Sequence, residues 1–137
     1  MKAQETETAL EVVTKYFSVL RERNIEMIMG FFPDELDWHI PGNETIAPWL
    51  GIRTNRNQVK EVFELLWKNT EPVSASINHT VTDGNVVICS GSFVTRMVKT
   101  EKLFKSLFFT EITVVKGLIV KYRLLEDTFG LVKALSK

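Results

Sequence analysis

The hydrophobic residues of this chain change their spacing near Pro72, and this change restricts the possible folds more than any other feature. Before Pro72 they recur every three to four residues, as on one face of a helix, and the segment 59–67 fits that spacing completely. After Pro72 they alternate with polar residues, as in strands that have one covered face. Helices followed by hairpins predict an α+β fold with an antiparallel sheet.

Three helices are predicted before Pro72, over residues 8–23, 25–32 and 55–69. The N-caps, whose side-chain oxygens can accept backbone hydrogen bonds, are predicted to be Thr8, Asn24 and Asn55. The stripe of the first helix that faces the core is predicted to comprise Leu10, Val13, Phe17 and Leu20, with Tyr16 beside it. A strand is predicted over 36–40, and the segment 43–54, which contains proline and glycine, is predicted to be a loop.

Four strands are predicted after Pro72, over residues 73–82, 85–98, 103–116 and 118–126. The dipeptides typical of hairpin turns are Asp83-Gly84 and Lys116-Gly117. A short C-terminal helix is predicted to begin at Asp127 or Thr128 and to end at Leu135.

The alternation within the last two strands predicts which side chains face the helices. Lysine and arginine seldom face a core, so Lys121 and Arg123 are placed on the outer face and Tyr122 on the inner face. The same alternation turns Thr110 inward in the preceding strand. One face of the sheet is therefore expected to be covered by helices.

The composition excludes several classes of function. Seventeen basic residues balance seventeen acidic ones, so the chain lacks the net positive charge typical of nucleic-acid binding. No apolar run approaches the ~18 residues that span a bilayer, and the polar segment Met1–Glu7 has no apolar stretch of a secretory signal. We therefore expect neither nucleic acid nor a membrane as a partner.

The length of 137 residues predicts a single domain over 1–137. Cys89 is the only cysteine, so no intrachain disulfide can form and a cytoplasmic location is favoured. The two histidines, His39 and His79, have no third ligand at metal-binding spacing. The sequence also contains no glycine loop that would bind a phosphate, and we expect neither a metal nor a cofactor.

Four stretches carry a further signal through their order and spacing. They are Tyr16-Phe17-Ser18-Val19-Leu20 with the segment 24–34 behind it, Asp37-Trp38-His39-Ile40-Pro41-Gly42, Pro48-Trp49-Leu50-Gly51, and the hairpin that leads through Lys116-Gly117 to Glu126-Asp127-Thr128. With these stretches the chain resembles the nuclear transport factor 2-like superfamily, and within it the SnoaL-like and ketosteroid-isomerase-like proteins. The resemblance implies a cone-shaped, bent antiparallel sheet wrapped around three N-terminal helices, with a pocket at its open end. It also implies a homodimer that pairs through the outer sheet face, on which Phe109, Ile119 and Leu125 are placed.

The isomerases of this superfamily use a tyrosine of the first helix and two acidic residues from strands. Tyr16 falls at the position of that tyrosine, but Ile40 and Thr110 stand where the two carboxyl groups are expected. Abstraction of a proton next to a carbonyl needs a base within hydrogen-bond reach. Ketosteroid isomerisation by that mechanism is therefore not expected.

Two acidic residues at the end of the last strand are the candidate acids. Strand alternation turns Glu126 toward the pocket, where burial would raise its pKa and suit it to move a proton; alternatively it lies at a frayed strand end, in water. Asp127 is either an acid or base at the pocket mouth, as the resemblance implies, or the N-cap of the last helix. Tyr16, which would orient a substrate, completes the candidate catalytic set. His39 is expected on the outer face.

The candidate ligand-binding residues are mostly aromatic or aliphatic, which suits a flat, largely apolar ligand. They are Trp38, Ile40, Trp49, Phe63, Phe93, Phe108, Thr110, Tyr122 and Leu124. Trp49 lies in the predicted loop, where it either shields a ligand or closes the hydrophobic core.

Three functions are compatible with such a pocket. The leading one is the binding of a small, largely apolar molecule, cyclic or aromatic. The second is a cofactor-independent acid/base enzyme of the cyclase, isomerase or dehydratase type, acting on a polyketide-like or steroid-like substrate. The third is a dimeric scaffold without a ligand. The aromatic lining disfavours the scaffold, and the missing carboxyl groups favour binding over the known isomerisation.

Overall fold

The computed structural model describes residues 7–137, and it confirms a mixed α+β fold with helices first and hairpins after. The helices are α1 (Ala9–Glu22), α2 (Ile25–Met29), α3 (Arg56–Asn69) and α4 (Thr128–Leu135). The strands are β1 (Glu35–Ile40), β2 (Gly51–Asn55), β3 (Thr70–Asp83), β4 (Val86–Met97), β5 (Leu103–Val115) and β6 (Leu118–Glu126). Residues 1–6, on which the argument against a secretory signal rests, lie outside the described part.

The helix starts follow the predicted capping chemistry. Thr8 and Glu11 form a complete capping box at the start of α1, and the side chains of Asn24 and Asn55 accept backbone hydrogen bonds at the starts of α2 and α3. The prediction that the second helix continues to Phe32 is wrong, because α2 ends at Met29. Beyond it the backbone N–H groups of residues 31 and 32 each bond to a carbonyl three residues earlier, as in tight turns.

The six strands form one sheet in the order β2-β1-β6-β5-β4-β3. All neighbouring strands are antiparallel except β1 and β6, which run parallel. The sheet is curled but does not close, so β2 and β3 are its edges. The strand predicted over 73–82 begins earlier, at Thr70, so Pro72 lies within β3, where an edge strand can accommodate a proline.

The prediction of a loop over 43–54 is wrong at its end, because residues 51–54 belong to β2. In this strand Ile52 pairs with His39, and Arg53 pairs with Trp38. The strand is five residues long and lies at the sheet edge, with only its first residue buried. The sequence of this segment therefore shows no alternation of apolar and polar residues that would predict a strand. It is a strand because it pairs with β1.

The inner face of the sheet follows the predicted alternation most clearly in β5. Alternate residues of this strand are buried, and they are Phe104, Ser106, Phe108, Thr110, Ile112 and Val114. Across from them, Gly91 in β4 brings two strands into close contact, since a Cβ atom there would lie 2.1 Å from the carbonyl oxygen of Ser76 and 2.8 Å from the ring of Phe108. Gly91 also pairs with Ile77, where a bulge interrupts β3.

Two predicted orientations are wrong. Leu10 is 43% exposed, whereas the buried residues of α1 are Val12, Val13, Tyr16 and Val19, so the helix is rotated relative to the predicted stripe. Ile119 is fully buried rather than on the outer face, because it pairs with Val114 after a register shift in the β5–β6 ladder. Phe109 and Leu125, by contrast, are outward and more than half exposed, as predicted.

No helix within residues 7–137 is both long enough and apolar enough to cross a membrane.

Candidate functional site

Four of the predicted site residues form one packed aromatic cluster between α1, α3 and the sheet. The indole of Trp38 stacks on the ring of Tyr122 with 4.2 Å between centroids and 7° between planes. Phe63 of α3 contacts the same indole edge-on, with 6.0 Å between ring centroids. Tyr16 of α1 contacts Tyr122 edge-on at 5.7 Å. All four side chains are buried, so they support the inner face of the sheet as a rigid wall.

The two tyrosines of this cluster are bonded to each other. The hydroxyl of Tyr16 donates a hydrogen bond of 3.1 Å to the hydroxyl of Tyr122. Burial raises the pKa of Tyr122 to about 12, and it raises the pKa of Tyr16 well above its ordinary value of 10.0. Both phenols therefore remain neutral in the physiological range, and each keeps a proton that it can donate.

A second group of predicted site residues lies along β4, β5 and β6, next to the end of the sheet. The ring of Phe93 contacts the rings of Phe104 and Phe108 at centroid distances of 5.5 and 6.0 Å. Phe108 pairs with Glu126 across the β5–β6 ladder, and Thr110 pairs with Leu124. The sheet therefore brings an aromatic group and a carboxyl group to the same inner face.

Glu126 is the acidic side chain of this group, and it is partly buried. Its removal from water raises its pKa from 4.5 to about 7, and the negative charge of Asp127 contributes in the same direction. A carboxyl group with such a pKa exchanges a proton near neutral pH. Its chemistry is thus that of an acid or a base, and no described hydrogen bond ties it to Tyr16.

Asp127 has a structural task that the sequence already suggested. Its side chain accepts a 2.9 Å hydrogen bond from the backbone N–H of Gly130 and so caps α4. Its own N–H donates a 3.0 Å hydrogen bond to the hydroxyl of Ser106. These two bonds fix the turn that follows Glu126.

Two buried polar groups on the inner face have no hydrogen-bond partner within residues 7–137. They are the indole Nε1–H of Trp38 and the hydroxyl of Thr110, in residues that are 1% and 2% exposed. A buried polar group without a partner costs about 1–3 kcal/mol, so such groups require an explanation. The indole N–H was not singled out from the sequence, since Trp38 was considered only for its aromatic surface.

The loop between β1 and β2 packs onto the core. Ile40, at the end of β1, is 8% exposed and Trp49 is 5% exposed, and both belong to the hydrophobic core. The guanidinium of Arg53 donates hydrogen bonds to the carbonyl oxygens of Pro48 and Leu50, which hold this loop in place. Trp49 therefore packs in the hydrophobic core, and its predicted contact with a ligand stays a prediction.

The outer-face residues of β1 do not belong to the inner site. Asp37 is exposed and forms an ion pair with Arg123 at 2.9 Å. His39 is only partly exposed, and it pairs with Arg123 in the parallel ladder. Within the described part of the chain, no three His, Cys, Asp or Glu side chains come together as a metal site.

Two cavities lie along the sheet. One, of about 400 Å³, is lined by the inner-face row of Ala75, Phe93 and Ser106 and by the residues on the outward side of the same strands, which are Ser74, Ser76, Ser92, Val94, Lys105 and Leu107. The other, of about 300 Å³, lies between α1 and the strands β3 and β4. The second cavity was not predicted, and its helix wall includes Leu10, which was expected to face the core.

A SnoaL-like domain model matches residues 13–122. The chain belongs to the SnoaL-like family. No curated protein sequence is significantly similar to it. Among solved structures, a proposed isomerase from Rhodopseudomonas palustris is 19% identical, with 95% of this chain and 97% of that chain covered and a TM-score of 0.81. These findings confirm the resemblance inferred from the sequence.

Two further solved structures share the fold of this SnoaL-like protein. A nuclear transport factor 2-like protein from Burkholderia xenovorans LB400 is 19% identical, covers 96% of this chain and 100% of that chain, and has a TM-score of 0.84. The protein TerC, co-crystallised with polyporic acid, is 14% identical, covers 94% of this chain and 98% of that chain, and has a TM-score of 0.80. At such identities the likeness concerns the fold alone.

Proposed function

We propose that this SnoaL-like protein binds a small, largely apolar molecule, cyclic or aromatic, on the inner face of its sheet. The observation that carries the proposal is the pair of buried polar groups without partners, the indole N–H of Trp38 and the hydroxyl of Thr110. An indole N–H can only donate, whereas a hydroxyl donates or accepts. The ligand should therefore present a carbonyl or hydroxyl oxygen to these two groups.

The apolar side chains around Thr110 suit the body of such a ligand. Phe108 and Leu124 flank this position on β5 and β6, and Phe93 packs against Phe108. Aromatic and aliphatic walls with a few polar groups are typical of small-molecule sites. The crystal structure of TerC with polyporic acid supports the idea that this fold accepts a small molecule.

A second candidate function, favoured by the raised pKa of Glu126, is proton transfer on the bound molecule. With a pKa of about 7, this carboxyl can donate or accept a proton at neutral pH. The reaction would be a cofactor-independent isomerisation, cyclisation or dehydration of a polyketide-like or steroid-like substrate. Asp127 would raise the proton affinity of Glu126, and Tyr16 would act through Tyr122. Because Ile40 and Thr110 carry no carboxyl group, the route would differ from ketosteroid isomerisation.

We further propose that the protein forms a homodimer and resides in the cytoplasm. The outer sheet face carries a patch formed by Leu107, Phe109 and Leu125, each more than half exposed, and a second copy of the chain would cover it. Cys89 is free and buried, as suits a protein of the cytoplasm. A scaffold that dimerises without a ligand is the alternative that the binding experiment below addresses.

The test compares Thr110→Val with Thr113→Val, a control in the same strand whose side chain is on the outer face. In the free protein, Thr110→Val should raise the free energy of unfolding by about 1 kcal/mol, because it removes a buried hydroxyl without a partner. Binding of polyporic acid or a steroid enone, measured by thermal shift and calorimetry, should weaken about ten-fold in Thr110→Val and stay unchanged in the control.

Two results would overturn the binding proposal. One is the absence of any thermal shift with either probe at millimolar concentration, which would favour the scaffold. The other is equal affinity in Thr110→Val and Thr113→Val. Proton transfer is tested separately, since Glu126→Gln should retain binding and lose turnover.

A further inference from the structure

The cavity between α1 and the strands β3 and β4 is a groove with two apolar walls. We call it the α1–β3 groove; it is lined by Leu10, Val13, Thr14, Phe17, Ser18 and Arg21 of α1 and by Ile77, Thr80 and Cys89 of the sheet. Its volume of about 300 Å³ is at the lower end of the range for small-molecule sites. None of its lining residues belongs to the site proposed above, although Cys89 of the groove pairs with Thr110 of that site across the β4–β5 ladder.

Apolar side chains of the groove remain in contact with solvent on both walls. Leu10 is 43% exposed on the helix and Ile77 is 36% exposed on the strand, while Phe17 is partly buried between them. Cys89 forms a buried floor, with its sulfur 3.5 Å from the hydroxyl of Thr80. Exposed apolar surface on two facing walls favours an apolar occupant.

The strand wall has an irregular shape that helps to form the groove. A bulge between Ile77 and His79 shifts the register of β3 against β4, so that Ile77 pairs with Gly91 and Thr80 pairs with Cys89. The extra residue places Ile77 and Thr80 on the same, inner face. A regular strand would turn these two side chains to opposite faces and leave the wall incomplete.

One end of the groove is cationic. Arg21 lies in the last turn of α1, and it takes part in none of the ion pairs or side-chain hydrogen bonds found within residues 7–137. The lining contains no aspartate or glutamate. Arg21 lines the same cavity as Phe17 and Ser18, one helical turn before it. The hydroxyls of Ser18 and Thr14 continue this polar edge.

We propose that the α1–β3 groove binds an amphipathic carboxylate of medium chain length. The carboxylate pairs with the guanidinium of Arg21, and the hydrocarbon chain lies along α1 against Phe17 and Leu10, with Ile77 on the opposite wall. From Arg21 to Leu10 the helix rises about 16 Å, which accommodates an extended alkyl chain. Arginine binds carboxylates through two parallel hydrogen bonds, which gives the ligand a defined direction in the groove.

The experiment titrates the full-length, ¹⁵N-labelled protein with sodium octanoate and follows its amide signals by NMR. Saturable shifts are expected at Phe17, Ser18 and Thr80, with little change at Leu124 and at the indole N–H of Trp38, which belong to the inner site. Arg21→Gln should weaken the affinity about ten-fold. The matched control is Lys68→Gln, because Lys68 is the basic residue in the last turn of α3 and lies outside the groove. It should change the affinity less than two-fold.

A second variant tests the hydrocarbon part of the site independently of charge. Thr14 is exposed on the groove side of α1, and Thr14→Trp should fill the groove and abolish the octanoate-induced shifts at Thr80. 1-Octanol, which has the same chain without the charge, should bind wild type at least about ten-fold more weakly than octanoate.

Four results would overturn the proposal. Three of them are the absence of saturable shifts with octanoate, equal affinities in Arg21→Gln and Lys68→Gln, and octanoate binding by Thr14→Trp that equals wild type. The fourth is a set of shifts centred on Leu124 and the indole N–H of Trp38 instead of the groove, which would leave the function proposed for the inner face intact.

Discussion

The hydroxyl of Tyr16 in α1 donates a hydrogen bond of 3.1 Å to the hydroxyl of Tyr122 in β6. The two residues are 106 positions apart in the chain, and both are buried. This hydrogen bond joins the first helix to the last strand. Its loss would destabilise the protein, because it would leave a phenol hydroxyl buried without a partner. The bond also fixes the ring on which Trp38 stacks.

Tyr16→Phe should lower the free energy of unfolding by about 1–2 kcal/mol, because it leaves the Tyr122 hydroxyl buried without its donor. Tyr122→Phe should cost a similar amount. The double variant should be less destabilised than the sum of the two, by about 0.5–1 kcal/mol. Urea unfolding of the four proteins measures this, and strictly additive losses would contradict a direct interaction between the two hydroxyls.

Glu126 predicts a pH dependence of stability with a definite sign. Its pKa is about 7 in the folded chain against an ordinary value of 4.5, so between these values the folded state binds more protons than the unfolded state. Stability due to this group is therefore full below pH 4.5 and falls as pH rises toward 7. The loss relative to Glu126→Gln should reach roughly 3 kcal/mol.

This pH dependence is measured by denaturant unfolding of wild type and Glu126→Gln between pH 4 and pH 8. Asp127→Asn is a useful companion, because it keeps the cap of α4 while removing the negative charge next to Glu126. In that variant the pKa of Glu126 should move down. Parallel pH profiles of wild type and Glu126→Gln would contradict the buried, protonated carboxyl.

Gly91→Ala should destabilise the protein by about 2–3 kcal/mol. The new Cβ atom would lie 2.1 Å from the carbonyl oxygen of Ser76 in the neighbouring strand, and backbone cannot move aside as a flexible side chain does. Ser90→Ala, at the adjacent position of β4 on the opposite face, serves as the control and should change stability by less than about 0.5 kcal/mol. The measurement is thermal unfolding of the two variants. Equal unfolding midpoints for Gly91→Ala and Ser90→Ala would contradict the close approach of β3 to Gly91.

Two variants of Asp127 distinguish its structural role as a helix cap from a catalytic role. Asp127→Ala should cost about 1 kcal/mol of stability, whereas Asp127→Asn should cost only a few tenths, since asparagine also accepts the Gly130 hydrogen bond. Calorimetric unfolding compares them. Full turnover in Asp127→Asn would confine Asp127 to the cap, and loss of turnover at unchanged stability would assign it to the chemistry.

The proposed dimer is tested on the outer sheet face. Phe109 is 53% exposed and pairs with Leu125, which is 56% exposed, so Phe109→Lys should place a charge within the interface and yield a monomer. Phe129→Lys is the control, because Phe129 is 73% exposed and lies on α4 instead of on a strand. Light scattering after size exclusion gives the masses. A wild-type mass of one chain would contradict the dimer directly.

The sequence by itself determined which segments are helices and which are the long strands. Side-chain periodicity, caps such as Thr8 with Glu11, and hairpin dipeptides are local properties, so they act before any distant contact forms. Both predicted hairpins form, and Lys116 and Gly117 make the second turn with φ values of 52° and 80°. The first turn is shifted by one residue to Gly84-Asn85, because Asp83 pairs with Val86 as the last residue of β3; Gly84 has a positive φ of 61°. The burial of Thr110 and the N-cap role of Asp127 were predictable for the same reason.

The tertiary structure decided the features that depend on partners distant in the chain. Strand β2 exists because it pairs with β1, and Ile119 is buried because the β5–β6 ladder shifts its register. The orientation of α1, which places Leu10 and Arg21 in the wall of the groove, depends likewise on packing against distant parts of the chain. The tertiary structure also decided that the indole N–H of Trp38 and the hydroxyl of Thr110 have no hydrogen-bond partner within residues 7–137. Whether a buried polar group is hydrogen-bonded depends on the residues that pack around it and not on its neighbours in the sequence.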